Sequence, residues 1–555
     1  MSSGFSLGSV SRRLAPRITG AVVALVVAQG VSAQGPVEFS ADRFKAHVVF
    51  LADDLLEGRE AGTRGHEIAA RYVASQFAQL GVKPAAPDGS YFEPVQLLEW
   101  SNVPPSPTLT ITGPHGAHDL PDGLDAVIVG SAVEGPVEVQ GPLVFAGYGV
   151  VDRTLGQDDY SGLDVRGKIV VVFVAPMSGV DSEVAAHDLT TLKRAAAEHG
   201  AVGFIGIQTR TSERTFPFEM RLEMRNEPST TWVLNDGTAF DPGYGIRASA
   251  YVSPKAASTL FEGAARSLEQ VLDEVEKPGG RPSGFPLTTT AKLTVNARVR
   301  RYESPDVIGM IEGSDPTLKN EFVVLMAHAD HIGISAGGSG DRINNGALDN
   351  AAGVATLLEV ARAVTTGGQR PKRSILVVAN TAEEKGLLGA EYLAHYPPVP
   401  IDRIVAAVDM DMPLLLYDFT DVVAYGGTHS TIERAFRAAG AEMNVALSAD
   451  PMPEQAIFVR SDHYSMAKAG VPAVMLATGM ASGGEAAWSS FLQTAYHHPG
   501  DDLSQPIRWQ AGARFAELNY RAIRILADSD EPARWYAGDY FGNLFAPNAK
   551  KAPKP

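Results

Sequence analysis

The run Phe322-Val-Val-Leu-Met-Ala327-His328-Ala-Asp330-His331 and the run Ser374-Ile-Leu-Val-Val-Ala379, which leads into Thr381-Ala-Glu383-Glu384, decide the fold of this chain. Both runs are short and apolar over Phe322 to Ala327 and Ile375 to Ala379, as strands covered on both faces are. Each ends on acids or imidazoles. Open α/β sheets bind ligands beyond the carboxyl ends of their strands, so these side chains are expected to converge at one sheet edge. Between the runs, a Gly- and Ser-rich loop (Ser335 to Gly340) precedes Asp349-Asn350-Ala-Ala-Gly353, which opens an apolar-periodic helix over Val354 to Ala363. That places Asp349 at a helix start.

Carboxylates gathered at one edge repel one another, and burying them unpaired is costly. A divalent cation removes that cost. Imidazole plus carboxylate, with no thiolate, favours zinc over the all-oxygen shells of calcium and magnesium.

Further along, the strand Arg403-Ile-Val-Ala-Ala-Val408 ends on Asp409-Met-Asp411, with either acid available as a ligand. Ser461-Asp-His463 precedes the strand Val471-Pro-Ala-Val-Met-Leu476, and Tyr496-His497-His498 precedes an amphipathic helix over Gln510 to Leu526. Toward the start, Asp42 to Leu56 and Gly65 to Leu80 read as helices, the second closed by Gly81, with Glu57-Gly58-Arg59 as a polar turn between them. From about Pro104 to Pro286 short β-like runs such as Lys168-Ile-Val-Val-Val-Phe-Val174 dominate, which predicts a separate domain left through the linker Pro278-Gly-Gly-Arg-Pro-Ser-Gly284. The tail Ala546 to Pro555 reads as unstructured.

With 555 residues and 45% hydrophobic content the chain can bury large cores, and its formal charge of −17 opposes nucleic-acid or anionic-membrane partners. The absence of Cys excludes disulfides, thiol catalysis and thiolate metal sites. Arg12, Arg13 and Arg17 precede the apolar run Ile18 to Ala28 and the small-residue site Val31-Ser32-Ala33. This reads as a secretory signal cleaved near Ala33, giving a periplasmic or secreted protein with no membrane insertion after its removal.

Taken together, Ala327-His-Ala-Asp-His-Ile-Gly333, Gly340 to Gly353, Ala382-Glu-Glu-Lys-Gly-Leu-Leu-Gly389, Asp409-Met-Asp-Met412, Ser461-Asp-His463 and Tyr496-His497 resemble the M28 family of zinc peptidases, in its bacterial members with an inserted protease-associated (PA) domain. The resemblance implies an α/β fold, a zinc-exopeptidase-type mixed sheet flanked by helices, with a β-rich α/β insert. It implies a signal peptide over 1–33, peptidase parts over 34–115 and 286–530, the insert over 116–285 and a tail over 531–555. It implies two zinc ions bridged by Asp349, one held also by His328 and Asp411, the other by Glu384 and His497. Matching Asp-Met to the family pattern selects Asp411 over Asp409. Glu383 matches the general base, Asp330 the carboxylate that orients His328, and Tyr496 a donor to the oxyanion. Arg460 and His463 are candidates for substrate contact, and Asp409 for a charge near the metals that pairs with a substrate ammonium.

The expected activity is aminopeptidase hydrolysis of short peptides. Weighed against it on the same fold are a carboxypeptidase of the glutamate carboxypeptidase type, which Arg460 would favour, a one-zinc glutaminyl cyclase, and a non-catalytic receptor-like binder, which would have lost ligands that are all present here.

Overall fold

The computed structural model describes residues 37–555 except 242, 338 and 339, so the expected signal segment lies outside the described residues. The core of the catalytic half is a mixed sheet. Its strands, in chain order, are β1 (Phe92–Asn102), β2 (Phe285–Ile311), β3 (Phe322–His328), β4 (Ser374–Asn380), β5 (Ile404–Asp409), β6 (Asp421–Tyr425) and β7 (Ala473–Thr478). β3 lies between β4 and β5 and β5 pairs with β7, all parallel, while β6 and β2 close the two sides antiparallel.

The expected reason for the apolar runs holds: every residue of β4 is buried, as is all of β3 but its first. Register then does the positioning. His328 is level with Asn380, and Met326 with Asp409, so the polar residues that follow β3, β4 and β5 leave the sheet along one edge.

Helices α1 (Ala41–Leu51), α2 (Arg64–Leu80), α3 (Ala352–Thr366) and α4 (Trp509–Asp528) flank this sheet. α3 is rich in Ala and buried nearly all round, including Glu359, whose carboxylate is held by Arg43 and Arg362 at 3.3 and 2.9 Å. α2 begins where the Thr63 hydroxyl accepts from His66 N, and it ends at Gly81 with φ 72°, a left-handed cap that glycine adopts without penalty. The first predicted helix is shorter than expected and gives way to a 3₁₀ turn over Asp54–Arg59.

A second hydrophobic core is built from residues 109–295, among them Ile111, Phe145, Val171, Ile205 and Leu293. It reaches beyond the expected 116–285 because β2 belongs to both halves. Its Thr290–Ala297 stretch pairs with the strand Gly135–Phe145, its Ala297–Val307 stretch with β1, and its Val307–Ile311 stretch with β4. The chain leaves the insert along a continuous strand, not through a free linker.

Trp535 and Phe541 are buried, Trp535 Nε1 donates to Gly470 O at 2.8 Å, and Ala552 N returns to Trp535 O at 2.9 Å. Ala546–Pro555, expected to be unstructured, forms no helix or strand, yet the bridge between Ala552 and Tyr536 and the Ala552 N–H to Trp535 O tie it to this aromatic segment. Among the described residues no helix is long and apolar enough to cross a membrane.

Candidate metal centre

Asp349 does not sit in regular helix. It occupies an irregular turn before α3 at φ −117°, ψ 86°. Its N–H donates to Asp501 Oδ2 and the Leu348 N–H to Asp501 Oδ1, both at 2.9 Å. Next to it, the Asn350 amide donates to Met410 O at 3.0 Å and accepts from Met412 N at 3.2 Å. The turn that carries Asp349 is thereby tied to the loop that carries Asp411.

Across this frame the side chains converge. His328 Nε2 lies 3.0 Å from Asp411 Oδ1 and 3.3 Å from Asp349 Oδ1. His497 Nε2 lies 3.1 Å from Glu384 Oε2 and 3.3 Å from Asp349 Oδ2. An ion with tetrahedral bonds of about 2.0 Å holds its ligand atoms about 3.3 Å apart, and the trio of His328, Asp349 and Asp411 is spaced to hold a divalent cation, while His497 stands at that distance from one oxygen each of Asp349 and Glu384. The two oxygens of Asp349 face different trios. A second grouping of ligand atoms joins His331 to Asp349 and Glu384.

Electrostatics point the same way. Burial alone would lower the His328 pKa, yet Asp411, Glu383 and Asp349 raise it well above its ordinary value. Burial likewise opposes protonation of His497, but its hydrogen bonds to Asp349 and Glu384 raise it to about 10. Glu384, which burial and Asp349 would raise, falls to about 2 because His331 and His497 oppose them. Glu383 behaves differently: burial pushes its pKa well up, His328 opposes, and Glu384 and Asp411 reinforce the rise.

The neighbouring residues are placed as follows. Asp330 takes the Glu383 and Glu384 amides on its two carboxylate oxygens at 3.2 and 3.4 Å, and it meets His328 Nδ1 through its backbone oxygen at 3.2 Å. The carboxylate itself stands 3.9 Å from that nitrogen, so the expected carboxylate–imidazole pair is a carbonyl–imidazole pair here. Asp409 and His463 are fully buried behind the ligands: Asp409 accepts from Ser461 Oγ at 2.8 Å and from His463 N at 3.1 Å. Both are without exposed surface, His463 as the first residue of a short helix that Asp462 precedes. Arg460 is exposed, bonds Gln455 Oε1 at 3.4 Å and lies close enough to Tyr496 to act on its phenol. The Tyr496 ring stacks on His497 at 3.9 Å, and burial keeps its hydroxyl protonated.

Three contributors were not legible as such. His331 is fully buried, with Nδ1 2.6 Å from Glu384 Oε1. Asp501 holds the Asp349 turn. Arg59, expected in a polar turn, is buried beneath the ligand loops and donates to the carbonyls of Ala329, Asn345, Gly346 and Leu51. Gly58 makes that approach possible: at φ 72°, a Cβ there would stand 2.5 Å from Asn344 O.

Residues 306–523 match the family model described as Peptidase family M28. That stretch carries an M28 peptidase domain. Its fold is similar to that of an aminopeptidase from Aneurinibacillus sp. strain AM-1, with a TM-score of 0.51 at 20% identity over 89% of this chain and 96% of that one. Aminopeptidase NAALADL1 of Mus musculus is 32% identical over 24% of this chain, and a probable leucine aminopeptidase 2 of Aspergillus fumigatus is 28% identical over 39%. The chain matches 17% of the length of the mouse protein and 43% of the fungal one. Five of the M28 motif residues, His328, Asp349, Glu384, Asp411 and His497, form the two trios described above.

Proposed function

We propose that this chain is a di-zinc metallo-exopeptidase that removes N-terminal residues from short peptides in a periplasmic or secreted setting. The observation that carries the reading is Asp349, whose two oxygens each lie 3.3 Å from a different imidazole Nε2, those of His328 and His497. A single carboxylate shared between two such trios suits a pair of ions better than one, which sets the one-zinc cyclase reading behind. Imidazole and carboxylate donors without thiolate favour zinc.

When bound, the cation pair supplies the positive charge that makes water a nucleophile at neutral pH and stabilises charge developing on the scissile carbonyl oxygen. The chain's own groups do the rest. Glu383 is half-buried beside Glu384, its carboxylate grouped with His328 and Glu384, and as a base it takes the proton of the attacking water and passes it to the leaving amine. The Tyr496 hydroxyl, kept neutral by burial, donates to the carbonyl oxygen as it gains charge. His497 is 37% exposed against 1% for His328, so substrate enters from the His497 side.

The insert is read as a PA domain that narrows this entrance and limits substrate length. Its Trp232, fully buried, donates to Glu391 Oε2 at 3.1 Å on the helix Leu388–His395, which follows Glu384 in the chain. The exposed guanidinium of Arg460 favours a second reading, in which a substrate carboxylate is held and C-terminal residues are trimmed. Aminoacyl, acyl-dipeptide and N-terminal glutaminyl substrates, assayed on protein of measured metal content, separate these readings. Turnover of the aminoacyl class alone is expected; turnover confined to acyl-dipeptides overturns the aminopeptidase reading.

A further inference from the structure

The insert carries a cleft of about 490 Å³ that shares no residue with the metal centre. Trp100, Asn102, Phe216, Arg221, Met224 and Tyr251 line it. Its aromatic floor is fixed by the sheet beneath. Tyr251 pairs with Gly206 across the strands Gly203–Ile207 and Ser249–Val252, and a Cβ on Gly206 would stand 2.7 Å from the tyrosine ring. On that floor lies Arg221, its guanidinium 4.3 Å from the centre of the Tyr251 ring and 5.0 Å from that of Phe216.

Arg221 has no carboxylate within ion-pair distance among the described residues, and its Nε is buried without a partner. Half-burying a guanidinium against two aromatic rings while leaving it unpaired is costly, and the stacking fixes its planar fork in one orientation. Of the nearby acids, Glu213 accepts from Phe218 N at 3.3 Å on one oxygen and acts on Arg221 from beyond ion-pair distance, its other oxygen buried without a partner, and Asp122 accepts from Ile128 N at 2.9 Å and lies beside Arg225. Glu227, at the rim, is exposed. Asn102 presents a second unmet group: its amide donates to Ile128 O at 2.7 Å, while its Oδ1 is buried and accepts from nothing.

We propose that this cleft binds the C-terminal end of a peptide or an amino acid, with Arg221 gripping the α-carboxylate, Asn102 Oδ1 accepting the adjacent N–H, and Trp100 and Met224 covering an apolar side chain. A guanidinium fork matches a carboxylate in two parallel hydrogen bonds. A phosphate, with more charge, would call for a second free cation, and Arg225 is already beside Asp122. The inference does not depend on the chemistry at the metal centre.

Photolabelling of the metal-loaded, full-length protein with N-acetyl-4-benzoylphenylalanine, followed by peptide mapping, tests it. Label is expected in residues 100–102 or 216–229, displaced by N-acetylphenylalanine but not by its carboxamide. Arg221→Met should reduce labelling about tenfold or more, since a charge-assisted pair is lost, with turnover at the metal centre unchanged. Free phenylalanine and an N-acetylated tripeptide ending in phenylalanine, used as competitors, tell which source of the carboxylate the cleft prefers. Label confined to the metal-centre loops, or equal displacement by acid and amide, overturns the proposal. The acid-against-amide comparison is made on the unmutated protein and so holds even if Arg221→Met folds poorly.

Discussion

His331 Nδ1 stands 2.6 Å from Glu384 Oε1, the carboxylate oxygen that faces away from His497. One oxygen of Glu384 is therefore fixed by an imidazole while the other is left for a cation. Residues that orient metal ligands in this way typically change metal affinity or activity ~10–100-fold when removed. His331→Ala is expected to weaken zinc binding in the trio containing His497 by that order and to leave the trio containing His328 nearly intact. Competitive chelator titration, resolving two classes of site, checks this.

Glu383→Gln should keep the protein's metal content and remove turnover by ~10²–10⁴, the usual contribution of a positioned base. Metal analysis alongside single-turnover kinetics separates the two quantities. Unchanged turnover would reject the base role.

Asp349→Ala removes an oxygen from both trios. Bound metal should fall for both ions together, whereas Asp411→Ala should affect mainly the ion shared with His328. Metal-to-protein ratios after dialysis distinguish the joint loss from the single one.

Arg59→Met leaves several buried loop carbonyls without a donor and removes a buried cation on which Asp501, Asp330, Asp349 and Glu384 act. Breaking such a buried, hydrogen-bonded charge costs about 3–5 kcal/mol. Denaturant unfolding of the metal-free protein should show a loss of that size, larger than for substitution of exposed Arg71.

His429 joins Glu183 of the insert at 2.9 Å to Asp539 of the C-terminal segment at 2.7 Å, and against the effect of burial these acids raise its pKa to about 9. A raised histidine pKa gives stability that is complete below the unfolded value near 6.5 and disappears as pH climbs through about 9. Melting temperature should therefore decline between pH 6.5 and 9, and His429→Gln should flatten that decline. A slope in the variant equal to the original would exclude His429 as its source.

The sheet and its metal edge were legible because strands covered on both faces read as apolar runs, and their polar ends stand out against them. Helix α2 was legible to its last residue through Gly81. Arg59 was not: a charged residue after Gly normally faces water, and only the closure of the Gly333 and Asn345 loops over it makes burial affordable. His463 misled in the opposite sense, since adjacency to Ser461 says nothing about which way a helix start points. Over Ala546–Pro555 composition correctly foretold the lack of helix and strand, but the single contact of Ala552 with the Trp535–Tyr536 segment left no trace in it. His331 and His497 have the same chemistry, and their division of labour depends on which oxygen of Glu384 each one meets.

β2 begins among the side chains of the insert and ends beside β4 in the catalytic sheet. The insert is thus not a cassette that can be snipped out and religated. Excision of 116–285 would strip the partners from the first third of a strand whose last third is paired with β4, and a tug on one half would be felt along a single hydrogen-bonded ribbon by the other.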